Sequence, residues 1–112
     1  MTNPSKRKGS LWERRIAEWL RGHGFLHAER RALEGVNDRG DIAGIPGIVV
    51  ECKNHKTWAL SEWIDELQVE KRNANSTHGI VVIPRRSHPV DRAYVVMELG
   101  QWADLFGDRE IA

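Results

Sequence analysis

Apolar positions along this chain fall into two rhythms, one helical and one strand-like, that alternate from end to end. Leu11, Trp12, Ile16, Trp19 and Leu20 recur at helical spacing, which predicts a helix from Ser10 to about Arg21, stopped by Gly22-His23-Gly24. Phe25 to Leu33 reads as a weak strand and 34–39 as a polar loop. Two further strands are predicted, Asp41 to Ile45 and the stronger Ile48 to Lys53, the latter β-branched and too short for a helix. Ser61 is placed to cap a helix running to about Asn75 with Ile64, Leu67 and Ala74 inward. Gly79 to Ile83 is continuously apolar, as expected of a strand buried on both faces. Tyr94 to Met97 predicts a short strand, and Glu98 to Phe106 a closing helix with Leu99, Trp102, Leu105 and Phe106 packed down. The expected architecture is α/β, a central mixed sheet flanked by helices. No repeat or linker divides the 112 residues, so 1–112 reads as one domain, with residues 1–9 a flexible basic arm.

The strand from Ile48 to Lys53 carries the most informative chemistry. Side chains alternate across a strand, so Val49, Glu51 and Lys53 share one face while Ile48, Val50 and Cys52 take the other. Glu51 and Lys53 thus stand about 6.5 Å apart at their Cα atoms on ideal strand geometry. Asp41 precedes them across a Pro46-Gly47 turn. Two carboxylates converging from adjacent strands make an oxygen-rich site suited to Mg²⁺, and a neighbouring lysine can orient water and stabilise charge during phosphodiester hydrolysis. The same three residues also fit a plainer arrangement, Asp41 capping a turn and Glu51 pairing with Lys53. Glu13 has two readings as well: in Ser10-Leu11-Trp12-Glu13 it completes a capping box.

The order of these pieces, Glu13 on a first helix, Asp41 at a hairpin, then Glu51-Cys52-Lys53 on a strand followed by a helix and a strand, resembles the PD-(D/E)xK nuclease superfamily. The nearer resemblance is to archaeal-type Holliday junction resolvases. It is carried by Lys8-Gly9-Ser10, Glu13-Arg14, Gly24-Phe25, Asp41-Ile42-Ala43 and Val50-Glu51-Cys52-Lys53, in the first half of the chain. Gly40 stands before Asp41 where the superfamily name has proline. The resemblance implies a restriction-endonuclease-like fold and a metal-dependent, structure-specific DNA endonuclease acting on four-way junctions as a homodimer. A less selective nuclease for flaps, single strands or duplex ends, and a non-catalytic DNA-binding module, are the rival implications. It also implies that Asp41, Glu51 and the Cys52 backbone carbonyl hold Mg²⁺, with Mn²⁺ as a substitute. Lys53 would position the attacking water and Glu13 would serve a second metal or water. Gln68 resembles a polar residue that some members keep near the site.

Charge distribution adds a polyanion partner to this picture. Formal net charge is only +1, yet residues 1–31 hold Lys6, Arg7, Lys8, Arg14, Arg15, Arg21, Arg30 and Arg31 against Glu13, Glu18 and Glu29. Lys6, Arg7, Lys8, Arg14 and the helix start at Ser10 are therefore candidate DNA contacts, joined by His55, Trp58, Arg85 and Arg86 from later loops. Trp12, Trp19, Trp63 and Trp102 occupy helical apolar positions expected in a core or subunit interface. The single Cys52 excludes an internal disulfide and reads as a core residue. No apolar run is long enough to span a bilayer, and the expected location is cytoplasmic.

Overall fold

A computed structural model of the chain describes residues 3–32 and 37–107. Its elements run α1 (Pro4–Arg21), β1 (Glu29–Arg30), β2 (Ile42–Ala43), β3 (Ile48–Cys52), α2 (Leu60–Asn73), β4 (His78–Ile83), a 3₁₀ turn (Val90–Arg92), β5 (Tyr94–Val96) and α3 (Leu99–Phe106). The strands form one five-stranded sheet in sequential order β1-β2-β3-β4-β5. All neighbours are antiparallel except β3 and β4, which run parallel in the register Glu51 to Val81 and are joined by α2. Parallel neighbours need a crossover, and the helical period of residues 60–73 supplies it.

Two cores sandwich the sheet. On one face Trp12, Ile16 and Ala17 of α1 pack with Ile42, Val50, Cys52 and Val82; on the other Trp63 and Leu67 of α2 pack with Val49, Val81 and Ile83. The alternation read from β3 therefore holds: Val50 and Cys52 face α1, and Val49 faces α2. β4 is an interior strand with Val81, Val82 and Ile83 all buried, as its unbroken apolar pattern predicts. Trp12 Nε1 donates to the Val82 carbonyl at 3.1 Å, fixing α1 across the sheet and satisfying a buried indole.

Several expectations differ in detail. α1 begins at Pro4, not Ser10: Asn3 Oδ1 accepts from the Lys6 amide at 2.8 Å and proline fills the first helical turn. Residues 4–9 are therefore helix, and Gly9-Ser10 lies inside it without a helix start's free amides. Leu11 is 47% exposed, because one residue's rotation, about 100°, turns it away from the face that Trp12 uses. Ser61 does not cap α2; the cap position is Ala59, without a side-chain bond. The weak strand expected over Phe25 to Leu33 shrinks to Glu29–Arg30, and its last residue, like 34–36 of the polar loop, lies outside the described residues. α3 packs little of its apolar face down: Leu99 is 79%, Trp102 53% and Phe106 39% exposed, while Leu105 is half-buried. Polar bonds hold it instead, Gln101 Nε2 donating to the Gly79 carbonyl and Gln101 Oε1 accepting from the Gly79 amide, with His78 paired to Asp104.

Candidate metal and phosphate site

At the carboxyl end of β3 a cavity of about 310 Å³ opens between the first turns of α1 and the strand end. Lys8, Glu13, Asp41, Glu51, Lys53 and His55 all line it, so the residues singled out from sequence converge in space. Each is delivered by a different local device. Asp41 leads into β2, its amide donating to the Val50 carbonyl at 2.9 Å and its Oδ2 accepting from the Cys52 amide at 2.8 Å. That clamp fixes the carboxylate against β3. Gly40 is what permits it: its φ is +97°, far from the roughly −65° that a proline ring imposes, and a Cβ there would meet Val49 Cγ1 at 2.7 Å. The glycine standing where the superfamily name has proline is thus required by this backbone.

Glu51 is 5% exposed and faces α2, where the sequence reading had identified no partner. Glu70, 4% exposed, comes up from α2, and Asp38, Glu51 and Glu70 each offer an oxygen within 4.8 Å of the others. Glu51 Oε1 and Glu70 Oε1 are buried with no hydrogen-bond donor among the described residues. Burial, then the neighbouring Asp41 and Glu70 carboxylates, push the Glu51 carboxyl up to about 11. Glu70 is pushed up to about 7, chiefly by burial. Burial and mutual repulsion thus favour a proton held among these carboxyls when no cation is present.

Lys53 donates to Glu66 Oε2 at 2.9 Å, lies 3.6 Å from Glu51 Oε2 and stands 5.8 Å from the Trp63 ring centroid. Burial works to lower its pKa, but the Glu66 bond and the surrounding acidic groups outweigh burial, and the net shift is upward. It is a held ammonium, able to donate hydrogen bonds and balance charge but unsuited to removing a proton. Glu13 is not a capping-box residue, since Ser10 is inside α1. Its Oε1 accepts from Arg30 Nε at 2.8 Å, while Arg30 Nη2 donates to Ser10 Oγ at 2.9 Å. Burial first, then Asp41, raise the Glu13 pKa.

The remaining expected residues divide. Lys6, Arg7 and Arg14 are exposed on α1, and Ser10 is engaged by Arg30. His55 tilts against Trp63 at 5.2 Å; Trp58 is 45% exposed and meets Tyr94 edge-on at 5.6 Å. Arg85 and Arg86 line a separate cavity. Gln68 is not at the site: it bonds Glu98 and Lys71, because it lies about 200° around α2 from both Glu66 and Glu70. Cys52 lines the cavity, but its thiol belongs to the α1-side core and burial pushes its pKa well up.

Sequence reasoning missed Glu70, Asp38, Glu66 and Arg30. For Glu70 a signal existed: Trp63, Leu67 and Glu70 are spaced as one inward helix face, and a carboxylate on such a face invites a partner. Asp38 had none, being brought in by a distant contact in which Asn73 Nδ2 donates to its carbonyl at 2.8 Å. The cluster's donors are all oxygens, with no imidazole or thiolate among them, and so fit hard cations of the Mg²⁺ and Mn²⁺ class. No family model, curated protein or solved structure matches this chain. Among the described residues no helix is long and apolar enough to cross a membrane.

Proposed function

We propose that this protein is a metal-dependent DNA endonuclease of restriction-endonuclease-like fold, cutting four-way junctions as a homodimer. One observation carries the reading: Asp41, Glu51, Lys53 and Glu13 line a single open cavity in which a buried Glu51 oxygen lacks a donor. Once deprotonated, Glu51 would leave a buried carboxylate oxygen without a donor, which is costly, and a cation bound beside it would supply the missing charge. Glu51 would hold Mg²⁺ with Asp41, which lines the same cavity, and with the Asp38 and Glu70 oxygens that lie within 4.8 Å of it. Bound there, the cation would lower the pKa of its water and neutralise charge on the phosphate.

The chain's own groups account for the rest. The Lys53 ammonium, held by Glu66, belongs to a residue that lines the cavity and would donate to the attacking water or to a non-bridging phosphate oxygen. Glu13, half-buried with its pKa raised, can accept a proton from the attacking water as the new phosphorus–oxygen bond forms, and the leaving oxygen takes a proton from solvent water as the old bond breaks. Lys8 and His55 at the rim supply the counter-charge and hydrogen bonding that bring a phosphate toward so many acids. The test is incubation of the protein with labelled four-way junction, flap, single strand and linear duplex, with Mg²⁺ and with chelator. Junction cutting that needs Mg²⁺ and vanishes in Glu51→Gln is the expected result. Cutting in chelator would sink the metal role, and equal cutting of all substrates would replace the junction enzyme with a general nuclease.

A further inference from the structure

A second cavity, of about 450 Å³, lies beside the first. It is lined by Arg15 from α1 and by Arg85, Arg86 and His88 from the loop after β4, and Asn54 lines both cavities. The topology explains the adjacency. β3 and β4 are parallel, so the residues just past their carboxyl ends, Lys53-Asn54 and Pro84-Arg85, emerge side by side on one edge of the sheet.

The charge at this second cavity is uncompensated. No carboxylate lines it, and Arg15, Arg85 and Arg86 make no ion pair among the described residues. The loop is shaped rather than loose: prolines 84 and 89 bracket it, Ser87 takes a left-handed φ of 64°, the His88 amide donates to the Arg85 carbonyl at 3.1 Å, and His88 Nδ1 donates to the Arg86 carbonyl at 2.9 Å. The floor is the Trp12 indole, itself pinned to β4. Three guanidinium groups brought together without a counter-ion repel one another, and the planar fork of each matches a phosphate.

We infer that this cavity is a phosphate subsite, taking a phosphodiester of the same strand whose neighbouring phosphate enters the acidic cavity, with the strand passing over Asn54. The nucleic-acid identity of the ligand rests on the function proposed above; the anion site itself does not. A strand running from the acidic cavity to the arginine cavity has a direction and a register, so the subsite would fix which phosphate meets Lys53 as well as adding affinity.

Binding of a fluorescent 5′-hydroxyl oligonucleotide, measured by anisotropy in chelator over a range of salt, tests this apart from catalysis. Arg86→Gln and Arg15→Gln, both at exposed positions, and the Arg85→Gln/Arg86→Gln pair are compared with Arg72→Gln, an exposed arginine at the far end of α2. Each cavity arginine should cost about tenfold in Kd and flatten the salt dependence by about 0.7 per lost phosphate contact, at unchanged melting temperature. Losses no larger than that of Arg72→Gln would overturn the subsite. Dependence on a 5′-phosphate would overturn the passing strand and leave an end-binding site. Arginine-dependent binding without Mg²⁺-dependent cutting would defeat the nuclease while the subsite stood; cutting with unaltered KM in the arginine variants would do the reverse.

Discussion

Glu51 is the residue on which most of the chemistry turns, and its protonation makes the proposed metal role measurable. Its carboxyl is pushed up to about 11 and that of Glu70 to about 7, from an ordinary 4.5. Raised carboxyls favour the folded state in their protonated form. The stability they give is whole below 4.5, and is lost as pH rises, Glu70's share by about 7 and Glu51's continuing beyond. Without metal, the melting temperature should therefore fall from about pH 5 to about pH 8, and Glu51→Gln should flatten that fall. Mg²⁺ should raise the melting temperature more at the higher pH, because ligation expels the proton. A metal-free wild type whose pH profile matches that of Glu51→Gln would remove the buried proton. The same protonation means that Glu51→Gln, expected to abolish the proposed cutting, should leave DNA affinity in chelator near wild type. A marked tightening in anisotropy would show that Glu51 is charged in the metal-free protein.

Glu13 makes a second prediction at this scale. Its bond to Arg30 is a partly exposed ion pair, with side chains 36% and 17% exposed, and such pairs contribute at most about 1 kcal/mol. Glu13→Gln should thus leave the melting temperature almost unchanged while single-turnover cutting falls strongly. Wild-type turnover in that variant would reduce Glu13 to a structural partner of Arg30. The convergence of Asp41, Glu51 and Lys53 on one cavity was legible because strand alternation and a turn are local rules. Glu70 was only half legible, since its inward position follows from helical period but its meeting with Glu51 needs the β3-α2-β4 packing.

At the scale of elements, the strands were read well where a continuous apolar run forced burial, as in β3 and β4, and poorly where pairing alone makes a strand, as in β1. The start of α1 was legible and was passed over: Asn3-Pro4 is itself a cap followed by a proline in the first turn, but Gly9-Ser10 offered a more familiar signal further along. The difference has functional weight, because Ser5, Lys8 and Gly9 of the extra turns line the acidic cavity. Asn3→Ala should cost about 1 kcal/mol of helix stability, seen as faster amide exchange over residues 6–9, and should weaken DNA binding while leaving the cores intact. Unchanged exchange there would mean that the first turns are held by something other than their cap. The outward α3 was not legible, because the apolar spacing of Leu99, Trp102 and Phe106 says that a face exists and not what it faces. Its placement comes from Gln101 bonding the Gly79 backbone, a polar contact between residues far apart in sequence.

For the whole molecule, charged groups gather around one edge of the sheet: acids and lysines together in one cavity, arginines without acids in the next, and the exposed Lys6, Arg7 and Arg14 along α1. One such edge can grip one strand. A junction enzyme must act on two, and a twofold dimer supplies two edges related by symmetry. If that is how the protein works, mixing wild type with Glu51→Gln subunits should yield hybrid dimers that bind a four-way junction as wild type does but nick only one of two symmetry-related strands. Denaturing gels of a junction labelled on both strands would then show single nicks accumulating as the inactive subunit is titrated in, with paired cuts falling faster than total nicks. A monomeric protein would behave otherwise. Its paired cuts would decline only in proportion to the active fraction, and light scattering of the protein–junction complex would count one chain per edge. That outcome would set aside the paired-site enzyme while leaving the metal chemistry of a single cavity untouched.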